Sequence, residues 1–260
     1  MSRMARDPGR LVAVNNDIYF GLGEHWYADE DSPVALLRAE SKLRNPWIAA
    51  RLDEAFGTGP CRVLDVGCGA GFLSNDIALR GRAVTGIDIA ADALAVAHAH
   101  DASGRVRYVE GDALALPFED RAFDAVCAMD LLEHLETPER AIAEASRVLA
   151  PGGLFFFHTF NRNVLSWLVI IAGVKWFVRN APEHMHVLRL FLKPRQVRAA
   201  CIANGLEAPA LIGVRPRLTR PFWKMLVTGR VASDFTFTFT HSTHLGYTGV
   251  ARKRATTIVS

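Results

Sequence analysis

Between residues 62 and 160, short apolar runs alternate with segments of helical period, and few folds accept that rhythm. RVLDVG (62–67) reads as a strand, FLSNDIALRG (72–81) as a helix stopped by Gly81, AVTGIDI (83–89) as a strand and ADALAVAHAHD (91–101) as a helix. RVRYVEGD (105–112) and FDAVCAMD (123–130) are strands and PERAIAEASRVL (138–149) a helix. A turn at Pro151-Gly152-Gly153 leads into a fifth strand, LFFFHTF (154–160). Strands joined through helices pair in parallel, with helices covering both faces of the sheet. A helix over about 33–56 precedes this unit and another, 193–206 with Gly205 as its cap, follows it. Late strands are expected near 209–215 and 246–253, and FTFTFT (235–240) alternates as a strand with one face buried.

The stretch VLDVGCGAGFLS (63–74) joins the first strand to the first helix. Glycine gives up side-chain contacts where a turn or a close approach to the backbone demands it. In a parallel sheet that turn lies beyond the carboxyl ends of the strands, where nucleotide-like ligands bind. A dinucleotide site requires G-x-G-x-x-G, and a phosphate loop requires a following GK[ST]. Neither is present. The pattern is Asp65, Gly67, Gly69, Gly71, with the third glycine one residue early and a carboxylate before the first. An anionic group there repels pyrophosphate and suits a cationic ligand. Asp88 ends the second strand, placed to accept two ribose hydroxyls; Asp112 ends the third, in reach of an adenine amino group; Asp130 ends the fourth. Taken singly, Asp88 or Asp112 reads as a helix cap or turn residue. Together they describe a pocket for a positively charged adenosine without phosphates, which is S-adenosylmethionine.

On these residues the chain resembles the class I S-adenosylmethionine-dependent methyltransferases over about 60–160, including RVLAPGG before strand five. The resemblance implies a seven-stranded, mostly parallel sheet with helices on both faces and the last strand antiparallel. The segment 158–194 is similar to the ubiquinone-biosynthesis O-methyltransferase family: N-R-N after the strand, S-W-L opening an apolar segment, H-x-x-x-x-F-[IL]-K-P closing it, with Trp26 and Asn45-Pro46 earlier. That similarity implies O-methylation of a phenolic or catecholic, polyprenylated quinone precursor. It implies a helical segment over 1–60 capping substrate and cofactor, and a methyltransferase domain over 61–260 with an apolar lid inserted at about 161–192. It further implies Mg²⁺ held by Asp130, Glu133 and His134. His134, following strand four near the pocket mouth, is the expected catalytic base. Asp130 stands where the family usually carries Glu; Ile48 stands where it carries Arg, although Arg44 lies close by; and 210–245 has no counterpart.

Composition narrows the partners. The chain of 260 residues is 50% hydrophobic, 22% charged and carries a net charge of +3. No stripe of Lys and Arg runs along an element, so nucleic acid is not expected. Arg3, Arg6, Arg10, Arg252, Lys253 and Arg254 read as solvated tails. Cys61, Cys68, Cys127 and Cys201 are widely spaced, without a C-x-x-C pair, and read as reduced core residues of a cytoplasmic protein. The N-terminus has no apolar signal-peptide core. The window 164–178, VLSWLVIIAGVKWFV, falls short of the ~20 residues that span a bilayer. It is expected as a lid in peripheral contact with a membrane, the alternative being a core helix on the sheet. His158, His184 and His186 read as polar lining or surface residues. Two rival functions stay open: methylation of a carbon or nitrogen on another apolar small molecule, and a non-catalytic S-adenosylmethionine-binding accessory protein docked on a membrane.

Overall fold

The computed structural model describes residues 13–255, so Arg3, Arg6 and Arg10 lie outside the described residues. The alternation over 62–160 forms β1 (Arg62–Val66), β2 (Ala83–Asp88), β3 (Arg107–Glu110), β4 (Phe123–Met129) and β5 (Leu149–Phe160), all paired in parallel. Three later strands join them: β6 (Ala210–Pro216), β7 (Phe237–Thr240) and β8 (Gly246–Arg252). The sheet order is β3-β2-β1-β4-β5-β8-β6-β7. The expected seven strands are therefore eight. FTFTFT contributes the extra one, because β6 leaves a free edge that β7 pairs antiparallel, while β8 inserts antiparallel between β5 and β6.

Side chains alternate across the central strands and so fill two cores. Leu64, Val66, Val126, Phe155 and Phe157 pack on one face against α5 (Pro138–Val148) and α8 (Pro194–Ala203). Val63, Ala125, Cys127 and Phe156 pack on the other face with Ile48 and Leu52 from α2 (Val34–Phe56) and Ile77 from α3 (Phe72–Leu79). All four cysteines are buried and free. α1 (His25–Ala28) and α4 (Ala91–Ala99) complete the layers around β2. β1 pairs with β2 on one side and β4 on the other. The strand order turns there, which opens a crevice at the carboxyl edge.

Three local expectations are corrected. β5 begins at Leu149, before the Pro-Gly-Gly turn rather than after it. The turn is a bulge within the strand, its register shifting between Phe123 and Ala125 of β4. β7 buries neither face fully: its four residues are half-buried, because it is the edge strand of the sheet, with Phe239 6.0 Å from the Trp47 ring. Arg252 and Lys253 are not free tails. The Arg252 guanidinium donates to Gly152 O at 2.7 Å, and Lys253 Nζ donates to Ser146 O and Leu149 O at 2.6 and 2.7 Å.

The apolar window forms α6 (Val164–Ser166), a π-helical stretch (Trp167–Gly173) and α7 (Val174–Phe177). It is not a core helix: Val164, Leu165, Trp167, Leu168, Trp176 and Phe177 are exposed. It packs instead beside α9 (Arg220–Thr228), where Val174 and Val178 share a small apolar cluster with Met225 and Phe235. No helix among the described residues is long and apolar enough to cross a membrane.

Candidate functional site

The glycine turn leaves β1 and reverses toward α3. Gly69 has φ +51°, and a Cβ on it would lie 3.2 Å from the Trp26 ring. Its N–H donates to Asp88 Oδ2 at 2.8 Å, and Asp88 Oδ1 accepts from Ala90 N at 2.9 Å. Each Asp88 oxygen keeps a lone pair for a ligand. Asp65 is buried and accepts from Ser74 Oγ at 2.7 Å; burial pushes its carboxyl up to about 6. Asp112 is exposed and accepts from Leu114 N at 2.8 Å, so a turn residue and a cavity residue are here the same side chain.

Asp65, Gly67, Gly69, Asp88, Asp112, Asp130 and His134 all line one cavity of about 270 Å³. Gly71 does not. It has φ +79°, and a Cβ there would lie 2.4 Å from Tyr108 Oη and 2.9 Å from Ala97 Cβ, so its place is structural, at the start of α3. Glu133 does not line the cavity either. It is fully buried behind it, with neither carboxylate oxygen hydrogen-bonded. Burial first, then the charge of Asp130, raises its carboxyl to about 8.

Asp130 follows β4 with φ +54°, and both its oxygens accept from the Arg44 guanidinium of α2, one at 2.8 Å. Arg44 also lies 3.4 Å from Glu40. Burial alone would raise the Asp130 carboxyl; Arg44 outweighs it and holds it at about 2. Glu40, buried and beside Asp130, is pushed up to about 7 despite Arg44. The Arg44–Glu40 pair was missed as a site feature. The signal was present in the sequence: Glu40, Arg44, Ile48 and Leu52 recur every four residues, and all are buried.

His134 is buried with its ring edge-on to Tyr19, centroids 5.4 Å apart. Asn16 Nδ2 donates to His134 O at 3.3 Å, which turns Asn16 Oδ1 toward His134 Nδ1 at 3.1 Å. The proton then sits on Nδ1, and Nε2 faces the Tyr19 hydroxyl at 3.4 Å. Burial lowers the imidazole to about 4. His186 lies next to it, centroids 5.3 Å apart, half-buried and lowered to about 3 by loss of solvent first and by His134 second.

The expected Mg²⁺ set does not form. Asp130 is separated from Glu133 and His134: Asp130 groups with Glu40 and His158, while Glu133 groups with His134 and His186. The Arg44 guanidinium, a cation, sits against both Asp130 oxygens and opposes a second cation there, and the second group offers two imidazoles and one carboxylate where Mg²⁺ demands oxygen.

A second cavity, of about 540 Å³, adjoins the first, and Tyr19 and Leu37 line both. Its wall is mostly apolar, with Phe160, Trp176, Phe177 and Met225 among its lining and His25, Asp29, Ser32, Glu40, Asn180 and His186 as its polar and charged members. Residues 64–157 match the family described as "Methyltransferase domain". A ubiquinone biosynthesis O-methyltransferase of Pseudomonas putida (strain W619) is 36% identical over 197 residues, 74% of this chain and 82% of that protein. The chain belongs to the ubiquinone biosynthesis O-methyltransferase family. As a member it is an S-adenosylmethionine-dependent O-methyltransferase. Solved structures share the Rossmann-like fold alone. Magnesium protoporphyrin IX methyltransferase from Synechocystis PCC 6803, with bound SAH, has a TM-score of 0.58 at 18% identity, covering 83% of this chain and 84% of that one. Phosphoethanolamine N-methyltransferase 2 from Haemonchus contortus, in complex with S-adenosyl-L-methionine, has a TM-score of 0.56 at 19% identity, covering 82% of this chain and 52% of that one. Asn16 and Tyr19 line the first cavity, and no motif announces them, because they come from the segment before β1.

Proposed function

We propose that this O-methyltransferase methylates a phenolic or catecholic oxygen on a ring bearing a long apolar tail, a polyprenylated quinone precursor. The observation that carries the proposal is the meeting of two unlike cavities at Tyr19 and Leu37, one edged by carboxylates and bare glycine backbone, the other apolar and twice as large. S-adenosylmethionine supplies a methyl group already activated on a sulfonium. The chain fits it: Asp88 presents two carboxylate oxygens to vicinal hydroxyls, Gly69 leaves room that a Cβ would fill, and Asp65 and Asp130 set negative charge beside a cation.

The residues then do three things. Tyr19, Trp26 and Leu37, from the segment before β1, cap the junction and exclude water. The apolar cavity takes the tail, with the helices at 164–177 as its lid and peripheral contact with a membrane as its source. His134 Nε2 takes the acceptor proton. A phenol has pKa ~10 and is a poor nucleophile until that proton leaves. The buried imidazole is neutral, so Nε2 can accept it once the acceptor hydroxyl displaces Tyr19 Oη, its partner at 3.4 Å, and Asn16 holds the ring in that tautomer. Alignment at the junction supplies several kcal/mol or more.

Incubation with methyl-labelled S-adenosylmethionine and a prenylated catechol tests this. The expected product carries the label on oxygen. Label on carbon or nitrogen, or cofactor bound without turnover of any lipid-extract component, overturns the proposal.

A further inference from the structure

We infer that Glu40 selects the methyl acceptor, by taking a hydrogen bond from a second ring hydroxyl, the one that is not methylated. The inference rests on the proposed O-methylation and names the side chain that decides which ring is taken. Leu36, Leu37 and Glu40 of α2 all line the large cavity. Glu40 follows the two leucines by four and three residues, so the three form one stripe of the helix. A stripe facing an apolar cavity calls for an apolar residue at each position, and a carboxyl stands at this one.

Glu40 differs from the other polar members of that wall. His25 and Asn180 are exposed, and Asp29, Ser32 and His186 are half-buried; Glu40 is buried, with 6% exposure. Its ion-pair partner Arg44 lies 3.4 Å away but gives both terminal nitrogens to Asp130 in hydrogen bonds. No group among the described residues hydrogen-bonds the Glu40 carboxyl. A buried carboxyl left in that state is costly. A few polar groups set into an apolar wall are also what orients a ligand in its cavity.

Position and charge name the group it meets. A carboxylate oxygen of Glu40 lies within 4.8 Å of one on Asp130, which lines the cofactor cavity. Leu37, one turn before Glu40, lines both cavities. Glu40 therefore stands at the junction end of the large cavity, where a ring that presents one oxygen to His134 carries its other substituents. An ammonium there is opposed by the Arg44 guanidinium, and a ligand carboxylate by Asp130. A neutral hydroxyl is opposed by neither. It donates to a Glu40 oxygen whether or not the carboxyl carries a proton, since both forms offer an acceptor. A ring with two hydroxyls satisfies Glu40; a ring with one leaves it unpartnered beneath the bound substrate.

Acceptor binding is measured on the full chain with S-adenosylhomocysteine present, which allows no turnover. The probes are a prenylated catechol and the matching prenylated phenol, which lacks one hydroxyl. Wild type is expected to bind the catechol about 10–150-fold more tightly than the phenol, the range for a hydrogen bond to a charged group. Glu40→Leu is expected to lose that preference by weakening catechol binding alone, with phenol and S-adenosylmethionine binding unchanged. Glu40→Gln keeps an acceptor oxygen in the same space and is expected to keep part of the preference. Equal binding of the two probes by wild type overturns the inference. So does a Glu40→Leu variant that keeps the wild-type preference or weakens both probes alike. Transfer of a labelled methyl group is read separately in wild type. Preference for the catechol with no label on its oxygens overturns the proposed reaction and leaves the role of Glu40 in binding standing.

Discussion

Arg44 closes both ends of its guanidinium onto both carboxylate oxygens of Asp130, joining the middle of α2 to the residue that follows β4. Arg44 is buried, and Asp130, half-buried, lines the cofactor cavity. A buried ion pair adds little net stability, but removing one partner strands the other. Arg44→Met is therefore expected to lower unfolding free energy by about 3–5 kcal/mol, read by urea titration. The double variant R44M/D130N recovers part of that loss. Equal instability of the single and double variants would show that the charge left on Asp130 is not the cause.

Glu133 sets a pH dependence. Its folded pKa, about 8, lies above the ordinary ~4.3 of a glutamate. Its protonation thus contributes stability that is fully present below ~4.3 and is lost as pH rises through about 8. Glu133→Gln is expected to become steadily more stable relative to wild type across that window, and level beyond it. Thermal unfolding of both proteins against pH checks this; a constant difference would place the carboxylate ionised in the fold.

His134→Gln is expected to reduce kcat by about 10²–10⁴-fold while S-adenosylmethionine binding by calorimetry changes little. Because burial lowers the imidazole to about 4, wild-type kcat/KM should hold as pH falls through the ordinary ~6.5 and drop only near 4. A loss centred near 6.5 would mean that the proton acceptor is a solvated group.

The two glycines separate binding from folding. Gly71→Ala places a Cβ against Ala97 and Tyr108 at φ +79°, so it is expected to lower the melting temperature. Gly69→Ala places a Cβ against the Trp26 ring at the cavity wall. It is expected to weaken S-adenosylmethionine binding more than it lowers melting. The reverse order would move the ligand away from Gly69.

Chelation is expected to leave the methylation rate unchanged, since the Arg44 cation already pairs with both Asp130 oxygens and the expected ligand set is split. A rate lost with chelator and restored by Mg²⁺ would require Asp130 to exchange Arg44 for the ion.

Much of this protein is legible in one dimension. The order of strands and helices over 62–160 follows from periodicity alone, because a buried parallel strand must be apolar throughout and its helix must be so on one stripe. The line of carboxylates at the strand ends follows too, since the ends of parallel strands share one sheet edge; Asp65, Asp88, Asp112 and Asp130 do line one cavity. What stayed hidden depends on contacts between distant segments. Nothing in FTFTFT states that β6 leaves an edge for it to pair. Nothing in D-L-L-E-H states that Arg44, 86 residues earlier, takes both oxygens of its first residue, or that His134 turns to Asn16 and Tyr19 instead of joining Asp130. Side-chain partners across such separations are chosen by packing of α2 and the N-terminal segment over the sheet, and that packing exists only once the chain has closed. Local sequence determined the elements and where ligand-facing groups would end; tertiary closure alone decided which of those groups are paired, which are protonated, and which are left free to act.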